Sequence, residues 1–346
     1  MSKYKVSIVV PIYNLEKYIP RCLDALVNQT LEDIEIICVN DGSTDSAPQI
    51  IEDYKRRYPD KVKTFHKENG GEWSSRTFGL KQATGEYVGF IDNDDYPELT
   101  WAEKLYDAAK ENDADLALCG YDRIILETGQ VVAKEMTQYG HMVKEVSFED
   151  DFTVFVNPSL WNKLYKLEKV KDMEFLPFRG CNDTLFLINA FAGRIKKMAF
   201  IPDILYHYYL RGSSQIHSLK EQDIKNLQKY FLVTKENIVK AGKYDEMKNV
   251  LDMMAYLHLA ISWLYRVSYN PDVNIKKVEN DIIDYLDKNF SAWRTTPFLK
   301  FGYCFKKGIK YTAIWFVTKL FKMHLGIVYI KLYKFVVDKL KIDIKW

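Results

Sequence analysis

The chain has 346 residues, room for one large domain or two modest ones. Its 47% hydrophobic content excludes a disordered chain, and a net charge of +2 argues against a nucleic-acid partner. Five scattered cysteines (Cys22, Cys38, Cys119, Cys181, Cys304) form no CxxC pair, which argues against a disulfide framework or thiolate metal site and favours a reducing compartment.

The start, with two lysines before an apolar run, imitates a signal peptide. The run is short, lacks a small-residue cleavage site and ends at Pro11, so a first strand over Val6–Val10 in a cytosolic protein is expected. A helix over Leu15–Val27 follows, then a strand over Ile34–Val39 and a helix over Ser46–Tyr58. Ser46 and Gln49 read as a capping box, with Pro48 tolerated in the first turn. The rhythm continues with Val62–Phe65, Trp73–Ala83, Tyr87–Ile91, Leu99–Asn112 and Leu116–Cys119. Such alternation predicts an α/β fold, a mainly parallel sheet with helices on both faces.

Ligands of such sheets bind beyond the carboxyl ends of the strands. Four consecutive strand ends carry polar or glycine-containing turns: Pro11–Asn14, Asn40–Asp45, His66–Gly71 and Asp92–Asp95. Neither GxGxxG nor GxxxxGK[ST] occurs, which disfavours a nicotinamide dehydrogenase or P-loop kinase. Three carboxylates within Asp92–Asp95 either stand solvated in a turn or surround something positive.

Beyond about residue 218 the alternation stops. Helical periods run over Asn226–Lys240, Tyr244–Val267 and Val278–Phe290. From Lys300 to Trp346 eleven lysines face only Asp338 and Asp343, and no apolar run is long enough to span a bilayer. Lys331, Lys334, Asp338, Lys341 and Lys345 recur as one helix face, with Leu332, Phe335, Val336 and Leu340 elsewhere on it. Such a basic helix can lie in an anionic membrane interface, or pack on its own domain or in a homodimer.

The motifs PIYN, EIICVNDGSTD, the Asn-Gly turn before Arg76, GEYVGFIDNDDY, WNKLY, CNDTLF and YHYYLRGSS stand in this order over about the first 215 residues. Together they resemble family 2 glycosyltransferases of the GT-A fold, the bacterial surface-glycan type. The resemblance implies a GT-A domain over 1–218 and a helical C-terminal region over 219–346, basic and amphipathic from about 300.

By this resemblance Asp92 and Asp94 match the DxD pair that holds Mg²⁺ or Mn²⁺ against a diphosphate, with Asp94 the first choice. Pro11, Tyr13, Asn14 and Asp41 match the nucleotide pocket; Asn69, Arg76 and Asn93 fall on the donor side. Arg76 would pair with phosphate or with Asp92. Asp183 matches the base that activates the acceptor hydroxyl, giving inversion. Asn182 stands where the family usually has Glu, and with Asp95 and Trp161 it falls on the acceptor side. Arg211, Ser213 and Ser214 would close over the diphosphate, with His217 nearby.

Plainer readings exist. Asp41 can be a turn aspartate, Arg76 a surface arginine, Asp183 a helix cap, and Trp161 a core residue. The implied activity is metal-dependent transfer from a nucleotide-sugar donor, a UDP-sugar, to a glycan or lipid-linked acceptor in surface-polysaccharide or glycolipid assembly. The implied place is the cytoplasm, peripheral on the inner face of the cell membrane. A catalytically weak sugar-nucleotide-binding or scaffold protein is the alternative, given Asn182 and Thr77.

Overall fold

The computed structural model describes residues 3–178, 180–211 and 220–340. The chain divides into two compact units, Met1–Gly212 and Ser213–Trp346, a few residues before the expected boundary.

The first unit is built on ten strands: β1 (Val6–Ile12), β2 (Ile34–Asn40), β3 (Val62–His66), β4 (Tyr87–Phe90), β5 (Tyr96–Pro97), β6 (Leu116–Ile125), β7 (Val131–Glu135), β8 (Met142–Glu145), β9 (Lys163–Lys166) and β10 (Lys197–Leu210). Their order is β3-β2-β1-β4-β9-β6-β10-β5, with β7 on β6 and β8 on β10. The β3-β2-β1-β4 half is parallel. Every residue of β1, β2 and β4 is buried, as a strand covered on both faces requires. The other half is mixed: β9 runs antiparallel to β4 and β6, while β6 and β10 are parallel.

Helices α1 (Ile19–Val27), α2 (Ala47–Arg57), α3 (Glu72–Gln82) and α4 (Trp101–Glu111) occupy the crossovers. The start of α2 corrects the capping-box reading. Ser46 makes no side-chain cap; Asp45 accepts from the Ala47 amide at 3.0 Å, and Glu16 accepts from the Ser46 amide at 2.9 Å. Helix α3 lies close on β1 because Gly79 leaves no side chain against Val9. The short helices α5 (Asp151–Phe155) and α6 (Leu167–Val170) precede α7 (Asn182–Phe191). Trp101 is fully buried.

The second unit is helical: α8 (Glu221–Lys240), α9 (Tyr244–Tyr256), α10 (Leu264–Val267), α11 (Ile275–Asn289), α12 (Phe301–Lys307), α13 (Ile309–Lys322) and α14 (Gly326–Leu340). A π-helical stretch, Leu257–Trp263, joins α9 to α10, so the expected 244–267 helix is continuous but widened in its middle. Its core stacks Tyr256 on Trp293 at 4.8 Å, with Phe321 edge-on. Buried Glu279 accepts from the Gly326 amide at 2.6 Å and seats the start of α14. Helix α14 buries Tyr329, Ile330 and Tyr333 while Val328, Leu332 and Phe335 stay exposed. Among the described residues no helix is long and apolar enough to cross a membrane.

Candidate active site

The carboxyl end of β4 delivers the acidic turn. Parallel pairing with β1 sets its depth, and the Ile91 amide bonds to the Val9 carbonyl at 3.0 Å. Arg76, the fifth residue of α3, reaches the same spot and is only 3% exposed. Its Nη2 donates to Asp92 Oδ1 at 2.8 Å, and its Nη1 donates to Asp183 Oδ1 at 2.9 Å. Glu72, four residues earlier on the same helix, adds a third carboxylate at Nη2. Arg76 is therefore a buried hub and not a surface arginine.

Asp183 is the second residue of α7. Gly180 and Cys181 both take positive φ, +82° and +62°, and turn the chain sharply into the helix. Cys181 occupies the cap position, so Asp183 is left to face Arg76. Burial raises the pKa of Asp183, Arg76 opposes the rise, and the Asp92 charge adds to it. A carboxylate whose pKa is raised suits a general base.

Asp94 pairs with Arg211 Nη2 at 2.6 Å, and its backbone oxygen accepts from Arg21 Nη2 at 2.6 Å. The Arg21 guanidinium lies 3.9 Å from the Tyr209 ring centroid. Burial and the Asp92 charge raise the pKa of Asp94, and Arg211 works against them. Three arginines thus surround the acidic turn. Asn93 is buried, and its Nδ2 has no partner among the described residues.

Several expected ligand residues make bonds within the protein. Asp95 is buried, accepting from Tyr206 Oη at 3.0 Å and from the Tyr209 amide at 2.8 Å. It straps the acidic turn to β10 rather than facing an acceptor; burial and the charges of Asp94 and Asp92 push its pKa well up. Trp161, expected on the acceptor side, is 5% exposed and stacked on Tyr206 at 4.3 Å, a core residue. Asn182 is buried and ties its Nδ2 to the Phe178 carbonyl. Thr77 accepts from the Phe175 amide at 3.0 Å.

Asp41, expected to meet base or ribose, accepts from the Gly70 and Gly71 amides at 3.0 and 2.8 Å and from Lys67 Nζ. Asn14, at φ +57°, accepts from the Thr44 amide at 2.9 Å. Both therefore fasten loops to one another, and the Asn69 backbone packs against Gly42. Pro11 is buried at the end of β1, whereas Tyr13 is half exposed. Ser213, Ser214 and His217 lie outside the described residues.

Three participants escaped sequence reasoning. Arg21 and Glu72 belong to no motif; the available signal for Arg21 is that it is the one basic residue of α1. Lys163, in WNKLY, is wholly buried, donating to the carbonyls of Asn157 and Ser159, both at 2.6 Å, and to Asn162 Oδ1 at 2.8 Å. Burial pulls its pKa down to about 7.

The acidic turn offers the carboxylates of Asp92 and Asp94 to a divalent cation. Among the described residues no cluster of three or more Asp, Glu, His or Cys forms a metal cage. Asp92 and Asp94 each present a hard oxygen donor pair with one oxygen bound to an arginine. That set fits Mg²⁺ or Mn²⁺ of the kind that completes its shell with phosphate and water.

A parallel half-sheet whose strand ends gather a DxD turn, a buried arginine and a facing carboxylate defines a GT-A glycosyltransferase. Residues 7–187 match the model of glycosyl transferase family 2, and the chain belongs to that family. It is 32% identical to the putative glycosyltransferase EpsH of Bacillus subtilis over 272 residues, 76% of this chain and 78% of EpsH. It is 33% identical to the poly(ribitol-phosphate) beta-glucosyltransferase of Bacillus spizizenii, covering 73% of this chain and 40% of that protein. The crystal structure of S. aureus TarS 1–349 with UDP-GlcNAc superposes with a TM-score of 0.72 at 21% identity, over 95% of this chain and 90% of that one.

Proposed function

We propose that the chain is an inverting glycosyltransferase that moves a sugar from a UDP-sugar to a hydroxyl of a glycan or lipid-linked acceptor in surface-polysaccharide assembly. The observation that carries this is the Arg76 fork, which holds the DxD carboxylate Asp92 and the base Asp183 on one guanidinium. Donor and acceptor chemistry are thereby brought side by side. The UDP donor and surface-polymer acceptor are supported by the UDP-GlcNAc complex of TarS and the poly(ribitol-phosphate) relative.

Asp183 takes the proton of the acceptor hydroxyl as its oxygen bonds to the anomeric carbon. The bond from that carbon to the diphosphate oxygen breaks, and the electron pair leaves with UDP. Attack opposite the leaving group inverts the anomeric centre. Asp94 and Asp92 would hold Mg²⁺ or Mn²⁺, which supplies positive charge to the departing diphosphate. Arg211 and Arg21 add fixed cations beside the acidic turn. The unpartnered Nδ2 of Asn93 is a ready donor to a phosphate or sugar oxygen. The excess of lysines in the second unit supports a peripheral position on the inner face of the membrane.

A panel of nucleotide-sugars titrated against the protein, with and without a chelator, tests this reading. UDP-sugars should bind best, and only with Mg²⁺ or Mn²⁺ present. Equal binding in chelator sinks the metal role, and preference for another nucleotide sinks the UDP assignment.

A further inference from the structure

The second unit holds a cavity of about 480 Å³ between the Arg294–Lys300 segment and α13. Four of its lining residues are cationic: Arg294, Lys300, Lys319 and Lys322. No carboxylate lines it. Arg294 spends two nitrogens on Asp287, at 2.6 and 2.7 Å. Among the described residues, Lys300, Lys319 and Lys322 have no carboxylate partner. Lys322 Nζ reaches only the Arg294 carbonyl. Burial and the charges of Lys319 and Arg294 lower the pKa of Lys322.

A second observation is independent of charge. Thr296 lines the same cavity and is 1% exposed, yet its Oγ1 has no partner among the described residues. A buried hydroxyl without a bond is destabilising, and an incoming oxygen ligand removes that cost. Clustered cations plus a hydroxyl donor are the chemistry that recognises phosphate.

The surroundings indicate where that phosphate comes from. Trp315 and Phe301 form the aromatic wall of the cavity, 4.9 Å apart, and Phe301 continues to Phe305 at 5.6 Å. Beyond them Phe305 is 65% exposed and Ile309 is 91% exposed. Lys306, Lys307 and Lys310 flank this apolar ridge, and no Asp or Glu occurs between Thr295 and Val337. A dissolved metabolite has no use for an exposed apolar ridge beside its phosphate; a lipid does, since acyl chains lie next to the headgroup.

We propose that this cavity binds the phosphate of an anionic membrane lipid while the Phe301–Phe305–Ile309 ridge enters the bilayer interface beside it. This rests on the peripheral-membrane reading above and gives it a specific headgroup site. It also moves the main attachment from α14 to α12 and α13.

The test uses the full chain, sedimented with vesicles of phosphatidylcholine alone or mixed with phosphatidylglycerol. Dissolved glycerol phosphate is titrated separately by calorimetry. The parent should bind mixed vesicles well above neutral ones. Lys300→Gln with Lys319→Gln should weaken that binding about 30-fold, since each lysine near an anionic surface contributes about fivefold. Thr296→Val, nearly isosteric, should remove much of the preference for phosphatidylglycerol without lowering the unfolding temperature. Phe305→Ser with Ile309→Asn should weaken binding to both vesicle types.

If the parent ignores mixed vesicles, the membrane reading itself falls. If the parent binds them and the lysine pair and Thr296→Val both bind equally well, the cavity assignment falls while membrane attachment stands. Tight glycerol phosphate binding without vesicle binding makes the occupant a soluble phosphate and overturns the lipid assignment.

Discussion

Replacing Arg76 by Gln probes the centre of the site. Gln keeps a hydrogen-bonding side chain but removes the charge and the fork. Breaking a fully buried ion pair costs about 3–5 kcal/mol, because the partner is left charged and unpaired. Here the partners are less enclosed: the side chains of Asp92 and Asp183 keep 25% and 29% exposure, so water takes up part of the loss. Glu72, 59% exposed, contributes little. A loss of about 2–3 kcal/mol follows, roughly 5–10 °C in the unfolding temperature of a unit this size. The same change has a chemical signature. Arg76 holds the Asp183 pKa down against burial and the Asp92 charge. Without it that pKa rises further, and a base must be ionised to act. The acid limb of the transfer rate should therefore move to higher pH, while neutral-pH transfer falls roughly 10²-fold, the scale of one lost preorganised donor. Calorimetric unfolding and a pH–rate profile measure the two effects separately. A variant with the parent's acid limb would refute the claim that Arg76 governs Asp183, even if stability drops as expected.

Asp183→Asn should leave donor binding nearly intact and slow transfer by about 10²-fold or more, measured by released UDP; turnover at the parent rate removes Asp183 from the base role. Asp94→Asn should weaken UDP-sugar binding sharply in Mg²⁺ and little in chelator, read by calorimetry. Asp252 in the second unit accepts from the Ala292 amide at 2.8 Å, and burial raises its pKa to about 6 from 3.8. Its charge therefore costs stability above about pH 6, and that cost fades as pH falls through 6 toward 3.8. Asp252→Asn should stabilise that unit at pH 8 by about 2 kcal/mol and flatten this pH dependence; equal unfolding curves at pH 8 would contradict it. Gly89→Ala drives a methyl to within 2.6 Å of the Trp101 ring and 2.8 Å of Leu164 Cδ2, so about 1–3 kcal/mol of destabilisation should appear in denaturant melts.

Legibility tracked burial and sequence locality. Strands β1, β2 and β4 read clearly because both faces are covered, which writes an unbroken apolar run. Strands β7 and β8 did not, since Val131, Val132 and Val143 are exposed and β8 is only four residues long. The antiparallel insertion of β9 has no local signature: Lys163–Lys166 would look alike in either direction. In the site, Asp92, Arg76 and Asp183 were visible through motif order, and the structure places them within one set of bonds. The loop-fastening bonds of Asp41 and Asn14 were not legible, because a turn carboxylate or amide binds backbone amides as readily as a ligand, and spacing does not distinguish the two. Arg21 was missed because its partner, Asp94, stands 73 residues away.

The final strand of the first unit has a consequence for anyone recombining these enzymes. On β10, Tyr206 and Tyr208 stack on Trp161, while His207 and Tyr209 lie against Tyr96 on the opposite side. Adding or deleting one residue there would exchange the two faces, pulling Tyr206 off Asp95 and Tyr209 off Arg21 together. Chimeras should therefore inherit Lys197–Leu210 whole from one parent. The turn between β6 and β7, where Gly129 has nothing within 4 Å of an added Cβ, is the place where parents of different length can be spliced.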